Sequence, residues 1–261
     1  MKTLYPSTTS KWVMDLINNN KTGVIHSVFN SGINIKINDN LVYLGTRSVP
    51  FGIMVVEDVD YKKMKPGEMI VFKDHSMSIS GYRFDLNRVN INRFVISDKP
   101  QQRTIIEFIN YCSELRLQTG FDKTIAELFQ YLSTIITSDY YDLVRYCMGR
   151  GIGLTPSGDD VLVGFIYSRY AQKNMDRVLI ETVSDLLKEV NTTTVSRQYI
   201  EFALSGRFSQ EIIDLHNSLC ENKNIDYAIN KIISIGHTSG MDTLAGIYLG
   251  FLVSKEKMVN E

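Results

Sequence analysis

The spacing of apolar residues changes near residue 100, and this change constrains the fold more than any other feature of the chain. Before it, short runs rich in β-branched and aromatic residues alternate with turn signals such as Asn-Asp-Asn at 38–40 and Pro66-Gly67, a pattern typical of strands. After it, apolar residues recur at three- and four-residue intervals, as they do in helices. The sequence therefore predicts an α+β fold, in which an antiparallel β-rich barrel or sandwich over 1–100 packs on a mostly α-helical domain over 101–261.

Local patterns add three expectations to this division. We expect a leading helix over 3–20, and we expect Asp122 to cap the helix that begins shortly after it. His26 and His75 lie on strand-like segments, where structural or surface roles are expected. His216 lies on an amphipathic helix, and this position predicts an exposed side chain.

Composition and charge exclude several classes of function. Apolar residues make up 44% of the 261 residues, which is enough for a sizeable core. The net charge of −1, with acids and bases interspersed, argues against a nucleic-acid-binding protein. The three cysteines are far apart and show no zinc-binding spacing. Because we find neither a signal peptide nor an apolar run of about 20 residues, we expect a cytoplasmic protein without a membrane partner.

Two segments of the second half share the pattern Ser-Gly-x-Asp-x-Leu-x-Gly. They read GLTPSGDDVLVG at 153–164 and GHTSGMDTLAG at 236–246. The spacing of serine and aspartate is that of a capping box, so each pair has a structural interpretation as a helix N-cap.

The repetition of the pattern favours a second interpretation. Each segment carries more polar groups than a cap requires, and each is followed by small residues four apart, Gly164 and Ser168 in one case, Gly246 and Gly250 in the other. Small residues allow two helices to approach closely. If these two helices pack together, their N-termini lie side by side.

Paired helix N-termini beside a glycine-rich loop form a site for a small anion. Hydroxyl groups and backbone amides of both segments are the candidate ligands, and two arginines are candidates for neutralising the charge. The candidate substrate-binding residues are Arg150, Gly153, Thr155, Ser157, Gly158, Arg197, Thr238, Ser239 and Gly240.

Three aspartates complicate a purely anionic site. Asp159, Asp160 and Asp242 repel an anion, but they could hold a hard cation such as Mg²⁺ that bridges to it. Alternatively, Asp160 and Asp242 act as caps and only Asp159 is free. Asp159 and His237 are the candidate catalytic residues, since either could move a proton. The loop matches neither a P-loop nor a dinucleotide-binding fingerprint.

GLTPSGDDVLVG also resembles the signature of a bacterial family that contains the AllH-type subunit of oxamate carbamoyltransferase. The segments at 48–55, 192–215 and 236–250 are similar to further elements of that family. The resemblance implies a role in allantoin degradation, a branch of purine degradation. It implies one subunit of a multi-protein transferase that interconverts oxalurate and phosphate with oxamate and carbamoyl phosphate.

Two functions stay open at this point. The chain is either an enzyme subunit that binds small anions at the two segments, or a non-catalytic ligand-binding or assembly subunit. In both cases we expect other protein subunits as partners, and a homo-oligomer is a further alternative. The two readings differ in whether the isolated chain binds the substrate anions.

Overall fold

The computed structural model describes the backbone of residues 1–259 and the side chains of residues 1–253. The chain divides into two compact units, one from Met1 to Phe94 and one from Val95 onward. The first unit is built on a β-sheet and the second consists of helices. The predicted α+β fold class is confirmed.

Ten strands of the first unit form one sheet. The strands are β1 (Lys2–Leu4), β2 (Thr8–Ser10), β3 (Thr22–Phe29), β4 (Gly32–Ile37), β5 (Asn40–Gly45), β6 (Gly52–Met54), β7 (Met69–Lys73), β8 (Ser76–Ile79), β9 (Tyr82–Asp85) and β10 (Asn90–Asn92). Their order in the sheet is β1-β9-β8-β7-β3-β4-β5-β6-β2-β10.

The connection between β1 and β2 shows why this sheet curls. A flat sheet would separate the positions of these two strands by about 40 Å, at ~4.8 Å between neighbours. The chain joins Leu4 to Thr8, a span of at most about 14 Å. The two sides of the sheet must therefore approach each other, and the sheet has the form of a half-barrel.

The sheet is mixed, whereas the sequence pattern indicated an antiparallel one. The centre is antiparallel, and the turn predicted at 38–40 joins β4 to β5, with Asn38 at a φ of 54°. Parallel pairing joins β1 to β9, β2 to β10 and β5 to β6. Two of these pairings connect the start of the unit with its end, and local apolar alternation carries no information about such distant partners.

The expected leading helix over 3–20 is wrong in its first half. Helix α1 spans Lys11–Asn18, and the Ser10 hydroxyl caps it by accepting from the amide of Val13. Residues around Pro6 are extended, because proline disfavours helical backbone in the residue before it. Val13 and Ile17 face the core of the first unit, which also contains Ile35, Leu44 and Phe84.

The second unit contains the remaining helices. They are α2 (Gln102–Glu114), α3 (Ile125–Leu132), α4 (Tyr141–Cys147), α5 (Ser157–Ala171), α6 (Arg177–Glu189), α7 (Thr194–Leu204), α8 (Gln210–Glu221), α9 (Ile225–Ile233) and α10 (Ser239–Val259). None of the described helices is both long and apolar enough to cross a membrane.

Helices α5 and α10 form the centre of the second unit, and their glycines set the distance between them. A Cβ added to Gly164 would lie 2.1 Å from the carbonyl oxygen of Thr243, and one added to Gly246 would lie 2.0 Å from that of Val161. These contacts are reciprocal, because Val161 and Thr243 occupy the same position of the repeated pattern. The two backbones therefore touch, which meets the condition that the small-residue spacing left open.

Two local predictions in the second unit are wrong. Asp122 has a φ of 54° and lies in a turn, and α3 is instead capped by Thr124, whose hydroxyl and Glu127 form a capping box. His216 is only 1% exposed. The amphipathic pattern of α8 failed at this residue because the imidazole packs edge-on against the ring of Tyr167 and hydrogen-bonds its hydroxyl.

Candidate functional site

The two Ser-Gly-x-Asp segments meet at the paired starts of α5 and α10. The Thr155 Oγ1 lies 2.8 Å from the Ser239 Oγ, although the two residues are 84 positions apart in the chain. The contact follows from the close crossing of the two helices, which brings both N-termini to the same end of the pair. One polar centre is thus formed from both copies of the pattern.

The capping-box interpretation is wrong for α5, because the serine and aspartate of the motif do not cap their own helix. Pro156 occupies the N-cap position without a side-chain cap bond, and Ser157 is already helical. The polar groups pair across the two helices instead. Asp160 faces the hydroxyl groups of Ser239 and Thr155, and Asp242 faces the hydroxyl of Ser157.

The ionised carboxylates of Asp160 and Asp242 are unfavourable in this polar centre. Burial raises the pKa of Asp160 well above its ordinary value, and the nearby charges of Asp242 and Asp159 raise it further. Burial also raises the pKa of Asp242, which is 0% exposed. Within the described residues, the Oδ2 atoms of Asp160 and Asp242 accept no hydrogen bond. Two neighbouring buried carboxyl groups with open acceptors favour a state in which one of them keeps its proton.

Asp159 points away from this pair and connects two loops. Its Oδ1 accepts from the amide of Gly149 at 2.8 Å, and its Oδ2 accepts from the hydroxyl of Thr192. The side chain is 1% exposed, and burial raises its pKa. Thr193 adds a second tie by donating to the carbonyl of Leu154. These bonds hold the glycine-rich loop against the residues that precede α7.

The glycine-rich loop between α4 and α5 has an unusual backbone. Gly149, Gly151 and Gly153 all have positive φ angles, at 71°, 118° and 92°, which only glycine adopts without strain. Ile152 at its tip is 93% exposed. Arg150 lies over the ring of Tyr146, with its Cζ 4.0 Å from the ring centroid.

Two glycines that the sequence suggested as ligands serve packing instead. The amide of Gly158 donates to the carbonyl of Arg150, and that of Gly240 donates to the carbonyl of Ile235. A Cβ added to either glycine would lie 1.9 Å from a backbone carbonyl oxygen of the preceding helix. Neither amide is therefore available to an anion.

The remaining candidates differ in their surroundings. His237 is exposed and lies two residues before α10, while the Thr238 hydroxyl faces Asp242. Arg197 lies on α7, and its charge lowers the pKa of Glu201, although burial raises that pKa more. The positive charge of Arg197 therefore already interacts with a carboxylate of the protein, that of Glu201.

A magnesium site at the three aspartates finds no support in the geometry. Among the described side chains, no group of three or more His, Cys, Asp or Glu residues is arranged to hold a metal ion. The physical reason is the direction of the carboxylates, since Asp159 is bound to Gly149 and Thr192 on one side of the loop. The oxygens of Asp242 face Gly120 and Ser157.

Comparison with protein families agrees with this arrangement of two units. Residues 147–251 match the family described as oxamate carbamoyltransferase subunit AllH, and residues 6–91 match the AllH family N-terminal domain. The two matches cover most of the chain. The chain belongs to the AllH family. No solved structure matches it.

The AllH match contains both Ser-Gly-x-Asp segments, the glycine-rich loop and the threonines that hold it. The resemblance stated from these segments is therefore confirmed. The family description names a subunit, which implies that further subunits complete the enzyme.

Sequence reasoning missed two residues of this AllH-family chain. Gly120 donates its amide to the Oδ1 of Asp242 at 2.8 Å, and a Cβ there would lie 1.9 Å from the Ser157 Oγ. Arg145 and Arg150 both line two clefts that lie beside the glycine-rich loop. Gly120 stands in a loop far from both motifs and carries no local signal, whereas Arg145 could have been noticed as a second cation five residues before Arg150.

Proposed function

We propose that this chain is a cytoplasmic subunit of a carbamoyltransferase-type enzyme of allantoin degradation and that it binds small anions where the two segments meet. The observation that carries the proposal is the 2.8 Å contact between the hydroxyl oxygens of Thr155 and Ser239, within a chain of the AllH family. Two hydroxyl groups from separate helix starts can turn together toward an oxyanion. The positive ends of α5 and α10 favour the same charge.

The glycine-rich loop supplies further donors. The amides of Gly151, Ile152 and Gly153 donate to no protein acceptor within the described residues. The loop is exposed at these positions, so an oxyanion can reach the amides. Arg150, and to a smaller extent Arg197, adds positive charge.

The reaction also needs a proton at a defined step. In the direction from oxalurate, a phosphate oxygen bonds to the carbamoyl carbon, and the bond from that carbon to the oxamate nitrogen breaks. The leaving nitrogen takes up a proton as the bond breaks. His237 is the exposed candidate for the proton donor. The buried Asp160–Asp242 pair, in which one carboxyl group keeps its proton, is a second candidate. For Asp159 we propose a positioning role, because both its oxygens already accept bonds from the loops.

The test uses the full-length chain, isolated by an affinity tag together with the subunits that bind it. Carbamoyl phosphate formation from oxalurate and phosphate is then measured. We expect His237→Gln to lower kcat by about 100-fold, as removal of a general acid does. His26→Gln is the matched control, since His26 is exposed and lies on β3 of the first unit, away from the candidate site in the chain, and it should leave kcat unchanged.

A purified assembly that forms no carbamoyl phosphate would overturn the proposed function. Full activity of the His237→Gln assembly would remove the proton role from this residue alone. Full activity of both His237→Gln and Ser239→Ala would favour the other function, a subunit that assembles the enzyme without acting on substrate. That second candidate is favoured by Ile152 and Leu154, which are 93% and 39% exposed on one loop and suit contact with another subunit.

A further inference from the structure

Two open clefts lie beside the glycine-rich loop, on the side of α4. Their volumes are about 480 and 510 Å³. Three residues line both of them, Arg145, Tyr146 and Arg150. The clefts therefore adjoin, and two arginines and one tyrosine form their shared wall.

Arg150 follows α4 and is held in place by Tyr146 of that helix. Its Nε donates to the carbonyl of Tyr146 at 2.8 Å, and its guanidinium group lies over the ring of the same residue. The ring is itself fixed by packing against Phe121 and Tyr131. The Nη groups of Arg150 have no protein acceptor within the described residues, so they remain available to a ligand.

Arg145 lies in the last turn of α4 and is exposed. Within the described residues it forms no hydrogen bond or ion pair, although Asp142 and Glu189 also line the clefts. Both arginines line one cleft, and within the described residues neither forms an ion pair with a carboxylate, so the pair suits an anion that accepts from both. Guanidinium groups match the geometry of phosphate oxygens in particular.

We propose that the Arg145–Arg150 cleft binds a phosphoryl group, as inorganic phosphate or as the phosphoryl end of carbamoyl phosphate. The inference rests on the proposed function only in naming carbamoyl phosphate as a carrier of that group. The phosphoryl group lies at the arginines, beside Gly149 of the glycine-rich loop. The same loop leads to Thr155, so the cleft extends the anion site of the proposed function.

Calorimetric titration of the full-length chain with inorganic phosphate in a sulfate-free buffer tests the site directly. We expect the wild-type chain to bind phosphate and both Arg145→Gln and Arg150→Gln to weaken binding at least tenfold. Arg116→Gln is the matched control, because Arg116 is an exposed arginine of the same unit that lines neither cleft. It should leave the phosphate Kd unchanged, which separates the cleft from a general loss of positive charge.

A second titration with oxamate distinguishes phosphate from carboxylate binding, and the Arg145→Gln chain should retain the wild-type Kd for oxamate. A purely structural role for Arg145, as a cation at the negative end of α4, would lower the melting temperature and leave phosphate binding intact. That result, or a wild-type chain that binds no phosphate at roughly 10 mM, would overturn the proposal. Since phosphate binding needs no turnover, it can fail while carbamoyl transfer is observed, and the reverse also holds.

Discussion

His216 illustrates how a single residue acquires its properties from packing. Its Nδ1 lies 3.2 Å from the Tyr167 hydroxyl, and its Nε2 lies 3.6 Å from the sulfur of Cys220. Burial lowers its pKa to about 4, with a smaller lowering by the charge of Lys173 and an opposing effect of Asp98. The imidazole is therefore neutral in the folded protein well below the pH at which it is protonated in an unfolded chain.

This difference predicts that acid weakens the fold through His216. Between pH 6.5 and about pH 4 the unfolded chain takes up a proton that the folded chain does not, so the free energy of unfolding falls as pH falls. Within that window the loss from this residue approaches about 1.4 kcal/mol per pH unit. Urea unfolding of the wild type and His216→Gln at several pH values measures it as the difference between the two proteins.

The comparison with a variant is needed because the buried aspartates act in the opposite direction. Burial raises the pKa of Asp159, Asp160 and Asp242, so their contributions become more favourable as pH falls. They are common to both proteins and cancel in the difference. A difference in stability that does not change with pH would contradict the assignment to His216.

At the scale of elements, the crossing of α5 and α10 determines the shape of the candidate site. Glycines at the crossing let the two backbones touch, and this contact brings Thr155 to Ser239. A bulkier residue at the crossing would separate the helix starts and with them the hydroxyl groups.

Gly246→Ala tests the crossing. On an exposed helix this change stabilises by about 1 kcal/mol, but here the new Cβ would lie 2.0 Å from the carbonyl oxygen of Val161. We expect a net loss of about 1–3 kcal/mol, as found for overpacked interiors. Asn217→Ala, on the exposed face of α8, controls for helix propensity and should stabilise slightly. Urea unfolding measures both, and a more stable Gly246→Ala chain would show that the helices do not touch there.

At the scale of the whole molecule, the first unit carries its own apolar interior. The core that extends from Leu4 to Leu86 draws only on residues of the first unit. The strands β1 and β2 complete the sheet by pairing with β9 and β10. The unit is thus closed by contacts between its beginning and its end.

We therefore predict that a fragment of residues 1–94 folds by itself. Circular dichroism should show β-structure that is lost in one cooperative thermal transition. A fragment of residues 1–79 is the matched control, because it lacks β9, which pairs with β1, and β10, which pairs with β2 on the side away from β6. It should show no cooperative transition. Equal behaviour of the two fragments would mean that closure of the sheet contributes little to stability.

The amino-acid sequence by itself determined the division into strands and helices, the turn between β4 and β5, and the small-residue faces of α5 and α10. Each of these depends on residues near one another in the chain, such as Asn38 in its turn or Gly246 and Gly250 on one helix face. Periodicity and glycine spacing report such local requirements directly. The repeated motif was sufficient to indicate the family as well.

Only the tertiary structure decided which residues far apart in the chain contact each other. Ser157 and Asp160 have the spacing of a capping box, yet Asp160 faces Ser239, and Gly120 binds Asp242 from a loop without any motif. The burial of His216 and the parallel pairing of β1 with β9 also depend on contacts between residues far apart in the chain. The physical reason is that a side chain bonds to whatever packing brings within about 3 Å, and residues far apart in sequence leave no local sign of that contact.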